Sequence, residues 1–214
     1  FGGRFGVISD ETTLDYAFGV FFGLTVLNLF SSALGSAPGI IVNQPNFVKK
    51  VVFPLEVLPL AHVGALTYNM LISLALCLAG VLFLGDGLTW LGLWIPVVLA
   101  PVLLLAIGVA WLLSALGVFL RDVNHLTQFL GLVALYASGV FYSARTAREV
   151  APEFWSVLKW NPLIHVIECL RGVTLWQHDP NLLHLGYAWA VGILVFVVGA
   201  YVFQSLRPGF ADAL

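Results

Sequence analysis

The chain has 214 residues, of which 60% are hydrophobic and 9% charged, with a formal net charge of -2 and a mean hydropathy of +0.99. Soluble domains carry about 25% charged residues, so this composition leaves too little charge to cover a water-facing surface, and no basic patch offers itself to nucleic acid. The two cysteines, Cys77 and Cys169, lie far apart in apolar surroundings; they read as small buried hydrophobes, with no disulfide framework and no metal-ligand spacing.

Several apolar runs exceed the roughly 18 residues needed to cross about 30 Å of hydrocarbon. The runs are continuous rather than alternating, which excludes the strands of a membrane barrel. The predicted fold is all-α and polytopic, a single transmembrane domain over 1–214. Residues 1–13 are polar and Gly-rich and read as a loop leaving a helix. The chain opens on Phe1 rather than Met, which predicts a sixth membrane helix ahead of the five visible ones.

The first span is predicted at about 14–37, with Tyr16 at its mouth and small residues (Gly19, Gly23, Ser31, Ser32, Gly35) that permit close helix packing. A polar loop comes next over 38–57; it carries Lys49-Lys50 and is punctuated by Pro54 and Pro59 just beyond. The second span, about 58–84, ends at the Gly85-Asp86-Gly87 turn. The third, about 90–119, opens on Trp90 and Trp94 and contains Pro96 and Pro101, which predict a kink. Arg121 and Asp122 then mark a membrane boundary, either as a local ion pair or as part of a gate. The fourth span is predicted at about 126–142 and the last at about 182–206.

Between these last two spans, 151–176 holds two helical pieces, each too short to cross. Asn161-Pro162 is a good helix start, because Asn caps free N–H groups and Pro has none to leave unpaired. Together the pieces predict a re-entrant hairpin, permitted only where protein or water shields the break. His165, Glu168 and Arg171 recur at helical spacing. In an apolar helix such a stripe faces a cavity or pairs internally. Charge does not orient the chain: with the 38–57 loop inside, Lys49, Lys50, Arg121 and Arg207 stand against Arg4, Arg145, Arg148, Lys159 and Arg171 outside. No Walker A, dinucleotide, HExxH or GxSxG pattern occurs, so no catalytic, cofactor or metal site is predicted in this chain.

Three blocks in order, 47–59 (FVKKVVFPLEVLP), 120–125 (LRDVNH) and 161–171 (NPLIHVIECLR), resemble the permease subunits of type-2 ABC exporters for polysaccharides, the O-antigen, capsule and teichoic-acid group. The match runs over nearly the whole chain. The resemblance implies a permease and not an enzyme: two copies pair with two separate ATPase subunits, which hold the ATP and Mg, in a bacterial cytoplasmic (inner) membrane. The loop after the family's second helix would dock on the ATPase, here through Asn46, Phe47, Val48, Lys49, Lys50, Val51, Val52 and Phe53. The re-entrant stripe would gate the outer side through Asn161, Pro162, His165, Glu168 and Arg171. The substrate would be a lipid-linked glycan. Because sugar faces stack on aromatic rings, Tyr68, Trp111, Tyr136, Tyr142 and Trp160 are candidates to line its path, against the alternative that they are belt or core residues. Export of another lipid or a drug, a secondary carrier using His165, Glu168 and Arg171, and a membrane-embedded glycan enzyme remain the alternatives.

Overall fold

The computed structural model describes residues 12–49, 53–85, 87–120 and 122–213, and all regular structure among them is helical. Eleven α-helices occur among these residues: α1 (Thr13–Ser36), α2 (Gly39–Val42), α3 (Pro45–Lys49), α4 (Val57–Leu84), α5 (Ile95–Phe119), α6 (Val123–Ala137), α7 (Ala144–Val150), α8 (Pro152–Leu158), α9 (Pro162–Thr174), α10 (Leu182–Leu206) and α11 (Phe210–Ala213). A 3₁₀ segment, Trp90–Trp94, leads into α5. Among the described residues, four helical stretches are long and apolar enough to cross a membrane: Thr13–Ser36, Val57–Leu84, Trp90–Phe119 and Leu182–Gly209.

Helix α1 starts sharply because Thr12 and Asp15 form a reciprocal capping box: Asp15 N donates to Thr12 Oγ1 (3.2 Å) and Thr12 N to Asp15 Oδ2 (2.9 Å). Helices α5 and α10 form the tightest pair. A Cβ added at Gly199 would collide with the Gly108 carbonyl, and one at Gly192 would come 2.7 Å from the Pro101 carbonyl. Backbone therefore meets backbone, the contact that small residues allow between membrane helices. Gly117 admits the α1–α2 corner in the same way, lying against the Pro38 carbonyl.

The expected fourth span differs from the structure. Helix α6 begins earlier, at Val123, and stops at Ala137 after 15 residues. That is about 22 Å at 1.5 Å per residue, short of the hydrocarbon thickness. The stop is local: Gly139 has φ +72°, a left-handed conformation that closes the helix. The chain then folds back through α7 and α8 into α9.

The two prolines of the third span play different parts. Pro96 sits in the first turn of α5, where a missing N–H costs nothing. Pro101 lies inside the helix and deprives the Val97 carbonyl of its usual donor. The indole of Trp189 on α10 replaces it, donating from Nε1 to Val97 O at 3.2 Å.

Candidate functional site

Two regions carry the residues singled out by sequence. The first lies at one end of the helix bundle. Helix α3 presents Asn46 and Phe47 at the surface, Phe47 being 38% exposed. The Phe47 ring meets that of Phe53 at 5.2 Å between centroids. Val48 and Lys49 complete the helix backbone, while Lys50, Val51 and Val52 lie outside the described residues.

The segment after Phe53 is firmly held. Leu55 is buried, and the Glu56 carbonyl accepts from Trp111 Nε1 of α5 at 3.0 Å. The Glu56 carboxylate pairs with Arg207, at the end of α10, at 2.5 Å. One residue at the head of α4 therefore ties α4, α5 and α10 together just past α3. Sequence reasoning does not single out this node. Its only signal is that Glu56 is the sole acid in 43–59; its partners lie 55 and 151 positions away. Of the boundary pair, Arg121 lies outside the described residues. Asp122 is exposed and caps α6 with its carbonyl, which accepts from His125 N (3.1 Å) and Leu126 N (3.3 Å), not with its side chain.

The second region is the fold-back after α6. A helix that ends leaves free carbonyls, each costly away from water unless paired. Here nearly every one has a donor. Tyr142 Oη donates to Tyr136 O (2.6 Å), and Asn161 Nδ2 to Ala137 O (2.9 Å). Tyr16 Oη on α1 reaches Phe141 O (3.3 Å). Arg171, fully buried, supplies the rest: Nη1 donates to Gly139 O (2.9 Å) and Tyr142 O (3.3 Å), and Nη2 to Val140 O (2.6 Å). Its Nε donates to Gly19 O of α1 at 2.9 Å. The planar guanidinium fork suits this, since it presents several donors in a fixed geometry. Gly23 leaves room for it: a Cβ there would meet Arg171 Nη2 at 3.0 Å and Val140 Cα at 3.2 Å.

Helix α9 starts on the predicted cap, with Asn161 Oδ1 accepting from Leu163 N at 3.0 Å and Pro162 in the first turn. Buried residues occupy nearly every position from Leu163 to Thr174, so the helix is enclosed by α1, α5, α10 and the 3₁₀ segment. The stripe His165–Glu168–Arg171 does not act on one face. At 3.6 residues per turn, each step of three turns back by about 60°, and the three side chains reach three elements. His165 Nε2 donates to Lys159 O (2.8 Å) and stacks near His184, 4.5 Å between centroids. Glu168 accepts from Ala144 N and so caps α7. Arg171 holds the turn after α6. Helix α7, which the sequence pattern does not announce, starts on Ser143, whose Oγ accepts from Thr146 N at 3.1 Å.

The aromatic candidates are dispersed. Tyr136 and Tyr142 come together, lining an apolar cavity of about 510 Å³ between α6 and α7–α8. Trp160 packs on Tyr187, whose Oη donates to the Trp160 carbonyl (2.6 Å). Trp111 belongs to the Glu56 node and packs on Phe196. Tyr68 is exposed on α4.

Comparison with known proteins places this geometry in a family. A model of the ABC-2 type transporter family matches residues 1–175. The chain is 25% identical over 210 residues to the O-antigen export system permease protein RfbA of Myxococcus xanthus, covering 98% of this chain and 80% of that one. It is 27% identical over 188 residues to a protein of the same name from Klebsiella pneumoniae, covering 86% and 70%. It is 24% identical over 215 residues to the polysialic acid transport protein KpsM of Escherichia coli, covering 95% and 79%. With a family match across most of its length and four helices fit to cross a bilayer, the chain is a multi-pass membrane protein of the ABC-2 type transporter family.

Proposed function

We propose that this chain is the membrane-spanning subunit of an exporter that moves a lipid-linked polysaccharide across the bacterial cytoplasmic membrane, driven by a separate ATPase subunit. Two copies of the chain and two ATPases make the working complex. The α3 end faces the cytoplasm and the α7–α9 hairpin the outer side. The observation that carries this reading is the Glu56 node. Helix α3, with Phe47 at the surface, leads to the head of α4, where Glu56 is bonded to α5 and paired with the end of α10. A partner pressing on α3 therefore moves three membrane-crossing helices together.

The relatives named for O-antigen and polysialic acid export support a glycan substrate. A proton-coupled carrier is less well supported, because His165, Glu168 and Arg171 are each engaged with main-chain groups. The test is Phe47→Asp and Phe53→Asp in the full permease. Surface glycan should be lost, with ATP hydrolysis in the co-purified complex no longer coupled to export and the permease still folded. Normal surface glycan in both variants overturns the coupling role of α3.

A further inference from the structure

Helices α1 and α4 run antiparallel, and their facing sides carry a seam of neutral polar groups through otherwise apolar spans. On α1 these are Thr25, Asn28, Ser32 and Ser36, spaced by three, four and four residues; on α4, His62, Asn69 and Ser73 fall on one face in the same way. The seam closes at the cytoplasmic end, where Ser36 Oγ and His62 Nε2 lie 2.6 Å apart. Above that contact it opens. Thr25, Asn28, Ser32, Asn69 and Ser73 line a cavity of about 160 Å³. Thr25, Asn28 and Ser73 also line a neighbouring cavity of about 450 Å³, walled by Phe18, Phe21 and Leu24, so the two form one groove.

The side chains of Asn28, Asn69 and Ser73 are exposed and make no hydrogen bond among the described residues. An amide moved into hydrocarbon without a partner loses its hydrogen bonds to water and gains none in return. A lipid-facing position for two asparagines and a serine is therefore strongly disfavoured. Among the described residues neither cavity is lined by Lys, Arg, Asp or Glu, so the groove has nothing to attract an ion or a phosphate. Neutral amides and hydroxyls beside phenylalanine rings instead match a chain that offers hydroxyl groups on its edges and C–H surfaces on its faces.

Resting on the export reading above, we propose that the α1–α4 groove is a stretch of the glycan path, in which Asn28, Asn69 and Ser73 hydrogen-bond the hydroxyls of a saccharide passing by. Groups that repeat along the seam bind successive sugars weakly and equivalently, which suits a chain that must keep moving.

The test uses the full permease with its ATPase in native membranes, with Cys77→Ser and Cys169→Ala as background because Cys77 lines the same groove. Asn28→Cys and Ser73→Cys are each treated with a charged maleimide and with an uncharged, membrane-permeant one, in cells that make the glycan and in cells blocked in its synthesis. The charged reagent should label both positions in glycan-free cells and label them several-fold more slowly when glycan is present. In parallel, Asn28→Leu with Asn69→Leu should lower surface glycan about tenfold while the permease still co-purifies with its ATPase. Labelling by the uncharged reagent alone, or not at all, places lipid or another helix over the groove and overturns the proposal. So does unchanged surface glycan in the double variant, or loss of glycan only together with loss of the complex. Failure of the export reading shows separately, as surface glycan that persists when the permease gene is deleted.

Discussion

Replacing Arg171 tests why α6 is able to stop where it does. Arg171→Ala leaves the carbonyls of Gly139, Val140 and Tyr142 without the donors that now sit at 2.9, 2.6 and 3.3 Å. An unpaired buried acceptor costs about 1–3 kcal/mol. Water entering the vacated space repairs part of this, so the expected loss for the three acceptors is about 3–5 kcal/mol. Arg171→Lys keeps the charge but brings a point-like ammonium that does not span carbonyls on both α1 and the turn; it should recover roughly half of the loss. Unfolding of the purified permease in detergent measures the stability. Trypsin provides the local readout, since Arg145, Arg148 and Lys159 are exposed on the hairpin. Both variants should be cut there faster than wild type, alanine fastest. An alanine variant within about 1 kcal/mol of wild type, a bound set by the net worth of one ordinary hydrogen bond, with an unchanged cleavage pattern, would refute the reasoning. So would a lysine variant as stable as arginine.

Asn161 performs two tasks with two atoms, capping α9 through Oδ1 and holding the Ala137 carbonyl through Nδ2. Asn161→Asp keeps the first and loses the second, so it should cost about 1 kcal/mol. Asn161→Ala loses both and should cost about 2, with equal losses in the same unfolding assay arguing that only one bond matters. Trp189→Phe should cost about 1 kcal/mol by orphaning the Val97 carbonyl. Pro101→Ala returns a helical N–H to that carbonyl, so a double-mutant cycle should show the Trp189→Phe loss shrinking in the Pro101→Ala background; purely additive effects would contradict the assigned exchange.

The sequence revealed the parts governed by local physics. Uninterrupted apolar runs announced the four long helices, and Asn161-Pro162 announced the start of α9. The turn at Gly139 was hidden, because an apolar run reads the same whether the helix continues or the chain doubles back. The roles of Arg171 and Glu168 were hidden too. Their spacing marked them as unusual, but their partners, Gly19, Gly139, Val140 and Ala144, contribute main-chain atoms that no side-chain pattern encodes. The same holds for Glu56 with Trp111 and Arg207, and for the glycine contacts of α5 with α10: each depends on pairings between distant segments.

If α3 is the coupling element proposed above, those distant pairings give a push there a route to the hairpin at the other end of the bundle. On that reading the Glu56 node would pass force to α5 through Trp111 and to the end of α10 through Arg207. The two helices are joined where Gly108 and Gly199 bring their backbones into contact and where Trp189 bonds across to Val97. On the coupling proposed above, they would move together. The N-terminal end of α10 carries His184 against His165 and the Tyr187 hydroxyl onto the Trp160 carbonyl. Both targets belong to the hairpin, one inside α9 and one at the turn before it. The other side of the hairpin is anchored to α1 by the Arg171 bond to Gly19. Displacing the α5–α10 pair relative to α1 would thus work on the hairpin from two sides, with the carbonyl-bound turn after α6 between them.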